Sequence, residues 1–222
     1  MGKLLIIHPQ DSTTDFLNPI WSFISNQFGE NITIRNISFS DEEHTKVKDE
    51  IIKYDGKNIL FLGHGNSTHL MGAKSQNYSC DTFINRDELL LFKSKTVLSF
   101  SCKSSDYLRF VKDFSYIGFD DIPSDMTEVV GARELEHDIY PDVNEDVINE
   151  FRKIMVRIVA NSVYDWIESD YDIERLYNRL KIRIDKEIVG LLNGSDKNKF
   201  RIATVGLLNK LKRDMRYFKH KN

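Results

Sequence analysis

The sequence predicts an α/β protein, with a mostly parallel sheet in residues 1-125 and a helical region in 126-222 packed onto it. Three observations lead there. Short apolar runs alternate with amphipathic stretches through the first 120 positions, as parallel strands and their crossover helices do. One run, Asn58 to Gly63, is apolar on both faces, as a central parallel strand should be, and Thr96 to Ser101 is a second apolar strand-like run. From Asp125 onward, apolar residues recur at helical spacing instead.

Lys3 to His8 reads as the first strand. A helix follows from about Ser12 to Phe28, with Phe16, Ile20, Phe23, Ile24 and Phe28 on one face, Asp11 or Ser12 as its cap, and Asn18-Pro19 disturbing its first turns. Ile32 to Ser38 alternates with a period of two and reads as an edge strand. Ser40-Asp41-Glu42-Glu43 has the form of a capping box and opens a second helix that ends near Asp55-Gly56. After the central run at Asn58, the polar stretch Asn66 to Ile84 is too long for an ordinary connection, and such loops are functional or disordered. Asn85 to Glu88 starts a short helix through Phe92. Thr96 to Ser101 is the fourth strand, Ser104 or Ser105 begins the next helix, and Tyr116 to Phe119 is the fifth strand. Val147, Ile148, Phe151, Ile154, Met155, Ile158 and Val159 then form an amphipathic stripe. Ile173 to Leu192 and Phe200 to Phe218 form two more, with a break at Asn193-Gly194-Ser195.

The composition of the 222 residues, 41% apolar and 29% charged, excludes disorder, collagen and coiled coil. No apolar run approaches the roughly 20 residues needed to span a bilayer, so no membrane is expected and the default address is the cytoplasm. There the two cysteines, Cys80 and Cys102, stay reduced and chemically available. The six histidines show no zinc spacing and no phosphate-binding glycine motif occurs, so neither a metal nor a cofactor is expected. The net charge of -3 hides a polarity: Asp120 to Glu150 holds eleven acids against Arg133, and Lys199 to Asn222 holds eight bases against Asp214. Both read as solvated helix faces, or as a border for basic ligands and a dock for an acidic partner. Nucleic acid is not expected as the principal partner.

Two runs carry the chemistry. The third strand ends in His64-Gly65 and the fourth in Cys102. Sites in open α/β sheets form outside the carboxyl ends of the strands. A right-handed crossover places the fourth strand beside the third, about 4.8 Å away, so the imidazole and the thiol can meet. A thiolate attacks carbonyl carbon, and an imidazole can take its proton and pass one to a leaving amine. Gly65 lets substrate approach its backbone N–H closely, and the Cys102 amide is a second oxyanion donor. The amino end of the helix after Cys102 should favour the thiolate.

With the motifs Phe61-Leu62-Gly63-His64-Gly65 and Leu98-Ser99-Phe100-Ser101-Cys102, residues 1-125 resemble the caspase-like cysteine peptidases. That clan includes caspases, metacaspases, gingipains, clostripain, separase and the bacterial CHAT domains, the last being the nearest in character. The resemblance implies a three-layer caspase-like sandwich and a peptide-bond hydrolase with His64 and Cys102 as its dyad. It also implies a protein or peptide substrate, and restraint relieved by an activating partner, by homo-oligomerisation or by cleavage of the 66-84 loop. The chain departs from the family where Phe100-Ser101 precedes the cysteine, and where Lys103-Ser104-Ser105 stands in place of the glycine common just after it. Relatives with basic specificity place acids near the strand ends. Asp11, Asp120 and Asp121 stand at such positions here and imply a pocket for Lys or Arg, although Asp11 reads equally as a helix cap and Asp120-Asp121 as turn residues. The alternative is a caspase-like module without turnover that binds a protein partner.

Overall fold

The computed structural model describes residues 2–110, 112–194 and 200–220. Ser195 of the expected break and the bases Lys199 and Lys221 lie outside the described residues. Five strands run parallel: β1 (Leu4–Pro9), β2 (Ile32–Ile37), β3 (Asn58–Leu62), β4 (Thr96–Phe100) and β5 (Ser115–Gly118). A sixth, β6 (Arg216–Phe218), pairs antiparallel with β5, giving the order β6-β5-β4-β3-β1-β2. The chain therefore builds outward from β1 first on one side and then on the other. The resulting crevice beyond the carboxyl ends of β1 and β3 is where open α/β sheets bind ligands.

Alternate residues of the central strands point to opposite faces. Leu4, Ile6, Leu60, Leu62, Leu98 and Ile117 pack with α1 (Asn18–Phe28), α4 (Met126–Leu135), α5 (Glu145–Glu168), α6 (Ile173–Asn193) and α7 (Arg201–Asp214). Leu5, Ile7, Ile59, Phe61, Val97 and Tyr116 pack with α2 (Asp41–Lys53), the 3₁₀ segment Arg86–Phe92 and the five-residue α3 (Ser104–Leu108). The result is a helix–sheet–helix sandwich. Every residue of β1 and β3 is buried, which is why these runs show no polar alternation.

Ser40 caps α2 as expected, accepting from the Glu43 N–H. Asn85 and Glu88 complete a capping box, although the helix they open is 3₁₀ rather than α. Three expectations change. The first helix starts at Asn18, not near Ser12, after a 3₁₀ turn at Asp15–Leu17. Pro19 fits there because the missing N–H would have had no partner in the first turn, and the Asp11 carboxylate serves Thr13 instead of a helix end. The stretch 66–84 is not structureless: His69–Leu70 pairs with Ile84–Asn85, and Lys74–Ser75 with Tyr78–Ser79. Finally, the stripe from Phe200 to Phe218 is not one helix. Met215 turns extended at φ -64°, ψ 134°, and β6 then lays Phe218 on Tyr116 with ring centroids 5.9 Å apart.

Candidate active site

The register of the central pair sets the site. Leu62 pairs with Phe100, and the Gly63 N–H donates to the Phe100 carbonyl at 3.3 Å. His64 and Cys102, each two residues further on, therefore leave the sheet at the same level. Both line one small cavity of about 20 Å³, shared with Thr14, Leu17, Ile122 and Ser124. Gly65 presses against the turn after β4: a Cβ there would fall 3.0 Å from Ser101 Oγ and 3.2 Å from the Cys102 carbonyl oxygen. A side chain there would make the Ser101 hydroxyl and the Cys102 carbonyl give way by a few tenths of an ångström. Among the described residues, neither the Gly65 nor the Cys102 N–H is engaged in a hydrogen bond, so both remain free to donate.

The turn that carries Cys102 is held in an unusual shape. Lys103 adopts the left-handed conformation, φ 55° and ψ 14°, which for a residue with a Cβ costs about 1–2 kcal/mol. Lys103 thus occupies a conformation that a glycine would adopt freely. Its N–H donates to the Asp120 carbonyl at 3.2 Å, and its ammonium pairs with Asp120 at 2.6 Å and Asp121 at 2.8 Å. Ser104 is buried and ties the same turn to β5: its hydroxyl oxygen accepts from the Phe119 N–H at 2.9 Å and lies 2.8 Å from the Ser101 carbonyl. At Gly118 an added Cβ would sit 2.6 Å from the Ser105 nitrogen, so α3 and β5 touch through bare backbone.

The Cys102 sulfur lies against Ile122, accepting from its N–H at 3.4 Å and donating to its carbonyl at 3.5 Å. Burial pushes the thiol up to about 12, with the Glu128 and Asp121 carboxylates adding to it against the opposing Ile122 N–H and Lys103 charge. The expectation of a helix-favoured thiolate is therefore reversed. A helix of one turn has little dipole to offer, and desolvation outweighs it.

On the other side of the crevice, His64 Nε2 lies 2.6 Å from Thr13 Oγ1 and 3.7 Å from Asp11 Oδ2. His64, Asp11 and Thr13 border a larger cleft of about 520 Å³, closed by Lys74, Cys80 and Asp125.

No family model and no curated protein matches this chain.

The structure brings His64, Gly65 and Cys102 to one corner and sets Asp11 beside the imidazole. It does not bring Asp120 or Asp121 to the cleft; both are engaged by Lys103. His8 is buried between the Leu62 carbonyl and Asn18, a structural histidine at the end of β1. Cys80 lies half-buried in the cleft wall rather than on the open surface, and burial raises its thiol. Among the described residues no group of three or more His, Cys, Asp and Glu is placed to hold a metal ion, and no helix is long and apolar enough to cross a membrane. The site roles of Thr13, Lys103, Ile122, Asp81 and Asp125 escaped the sequence reading. Thr13 and Ile122 act through contacts to distant positions, and Lys103 through a backbone shape that lysine seldom takes.

Proposed function

We propose that this chain is a cysteine endopeptidase of the caspase-like type, with Cys102 as nucleophile and His64 as general acid and base, resting in a closed state. The observation that carries the reading is the β3–β4 register, from which His64 and Cys102 emerge level into one cavity. In the reaction the imidazole takes the thiol proton and the sulfur bonds to the carbonyl carbon. The oxyanion then lies toward the N–H groups of Gly65 and Cys102. Collapse breaks the C–N bond while the imidazolium protonates the leaving amine, and water then hydrolyses the thioester and restores the thiol. Closure follows from the Ile122 backbone, which occupies the sulfur until substrate or an activating partner draws the 120–124 segment away. Asp11, Asp81 and Asp125 on the cleft wall support acceptance of a Lys or Arg side chain; Asp120 and Asp121 leave that role.

The test is hydrolysis of a fluorogenic peptide library together with labelling by a peptidyl electrophile. Wild-type protein should turn over and label at Cys102. Cys102→Ala should lose both and His64→Ala should lose turnover, each with an unchanged unfolding transition. Unchanged turnover in either variant overturns the assignment. The clasp on the thiol also favours a second reading, a partner-binding module without turnover. That module would leave Cys102 unlabelled by the peptidyl electrophile even with the segment loosened.

A further inference from the structure

The hydrogen-bond pattern around His64 can be read down to single protons. Thr13 donates twice to one oxygen of Asp11: its N–H reaches Oδ1 at 2.9 Å and its hydroxyl reaches the same atom at 2.8 Å. A hydroxyl has one proton, and an ionised carboxylate only accepts. With that proton directed at Asp11, Thr13 Oγ1 presents lone pairs to His64 Nε2, 2.6 Å away. The proton between them therefore belongs to the imidazole. The second Asp11 oxygen lies 3.7 Å from the same ring nitrogen, so negative charge stands where a protonated ring would need it.

We infer that Thr13, backed by Asp11, is a positioning residue that fixes the His64 ring as its Nε2–H tautomer and leaves Nδ1 as the atom that accepts the thiol proton. The last step rests on the peptidase reading; the tautomer does not. The anchor is rigid for local reasons. Asp11 is buried at the end of β1, its carbonyl takes the Thr14 N–H at 2.9 Å and the Thr14 hydroxyl at 3.0 Å, and the next chain over is tied down by the Lys74 N–H donating to Gln10 at 2.8 Å. Thr13 itself is exposed, so its hydroxyl can be removed without opening the core. An oriented imidazole matters because a misplacement of about 1 Å near the reacting atoms costs roughly a hundredfold in rate.

The experiment uses the full chain, ¹⁵N-labelled, with Thr13→Val as the near-isosteric variant lacking the hydroxyl and Thr13→Ser as the conservative one. In wild-type and Thr13→Ser protein, a ring proton coupled to His64 Nε2 should be visible downfield and protected from exchange. It should vanish in Thr13→Val, with His64→Gln supplying the assignment. On a turned-over peptide, Thr13→Val should lower kcat about a hundredfold with KM little changed, and Thr13→Ser should recover to within a few-fold. A wild-type ring proton on Nδ1, or an unaltered Nε2 signal in Thr13→Val, overturns the inference. So does a serine variant as impaired as valine. If the wild-type protein cleaves no peptide, the peptidase reading fails by itself, and the ring-proton signals still decide the tautomer.

Discussion

At pH 8 the Cys102 thiol should react with iodoacetamide about a thousandfold more slowly than an ordinary cysteine. The thiolate is the nucleophile, and burial beside Glu128 and Asp121 moves its titration from 9.0 to about 12. Three units remove a factor of ~1,000 in thiolate at any pH below 9, equivalent to about 4 kcal/mol in favour of the protonated form. The same shift sets a stability slope with a definite sign. Below pH 9 both the folded and the unfolded chain hold this proton, and the contribution is complete. Between pH 9 and 12 the unfolded thiol ionises while the folded one does not, so stability falls by about 1.4 kcal/mol per pH unit. Above 12 both are ionised and the contribution is gone. The assay compares carbamidomethylation of the Cys102 peptide in native and urea-unfolded protein by mass spectrometry from pH 7 to 10. Urea midpoints of wild type and Cys102→Ala follow over the same range and on to pH 11. The difference between the two proteins isolates this group from the tyrosines and lysines that titrate nearby. Native Cys102 labelled within tenfold of the unfolded chain at pH 8 would refute the reasoning, as would an identical alkaline slope in Cys102→Ala.

Gly118→Ala should destabilise the fold by about 1–3 kcal/mol, because the new methyl meets the Ser105 nitrogen at 2.6 Å and the Ser104 carbonyl carbon at 2.7 Å, both backbone atoms that cannot swing aside; a urea midpoint equal to wild type would show that α3 is not pinned there. Lys103→Gly should leave stability within about 1 kcal/mol of wild type, since relief of the left-handed strain offsets two partly exposed ion pairs. It should nevertheless speed Cys102 alkylation severalfold by freeing the Asp120–Asp121 corner, and an unchanged alkylation rate would count against the clasp.

The central strands were legible in the sequence because burial on both faces makes β3 apolar on both, and because parallel pairing fixes where the ends of β3 and β4 fall. That also made the level exit of His64 and Cys102 readable before any geometry. β6 was hidden because Leu211, Met215 and Phe218 continue a helical spacing; its pairing with β5 and the packing of Phe218 on Tyr116 and of Tyr217 on Tyr177, all far back in sequence, make extended backbone the better choice. The late start of α1 was hidden for a similar reason. Asp11 looks like a helix cap from its position, yet its carboxylate is captured by Thr13 two residues on, before any helix begins. The state of the thiol could not be read from its neighbours in sequence, since what encloses it is the backbone of Ile122, 20 positions away.

The antiparallel rung at the edge of the sheet has a consequence for biosynthesis. β5 pairs with β4, its near neighbour in sequence, but its outer edge is closed only by Arg216–Phe218, roughly a hundred residues later. At translation rates of ~5–20 residues per second, that interval is about 5–20 s, during which Tyr116 and the free N–H and C=O groups of Ser115–Gly118 form an open template for another nascent chain. The three residues that close the edge therefore guard against mispairing between copies at a stage when α5, α6 and α7 have only begun to cover the face beside it.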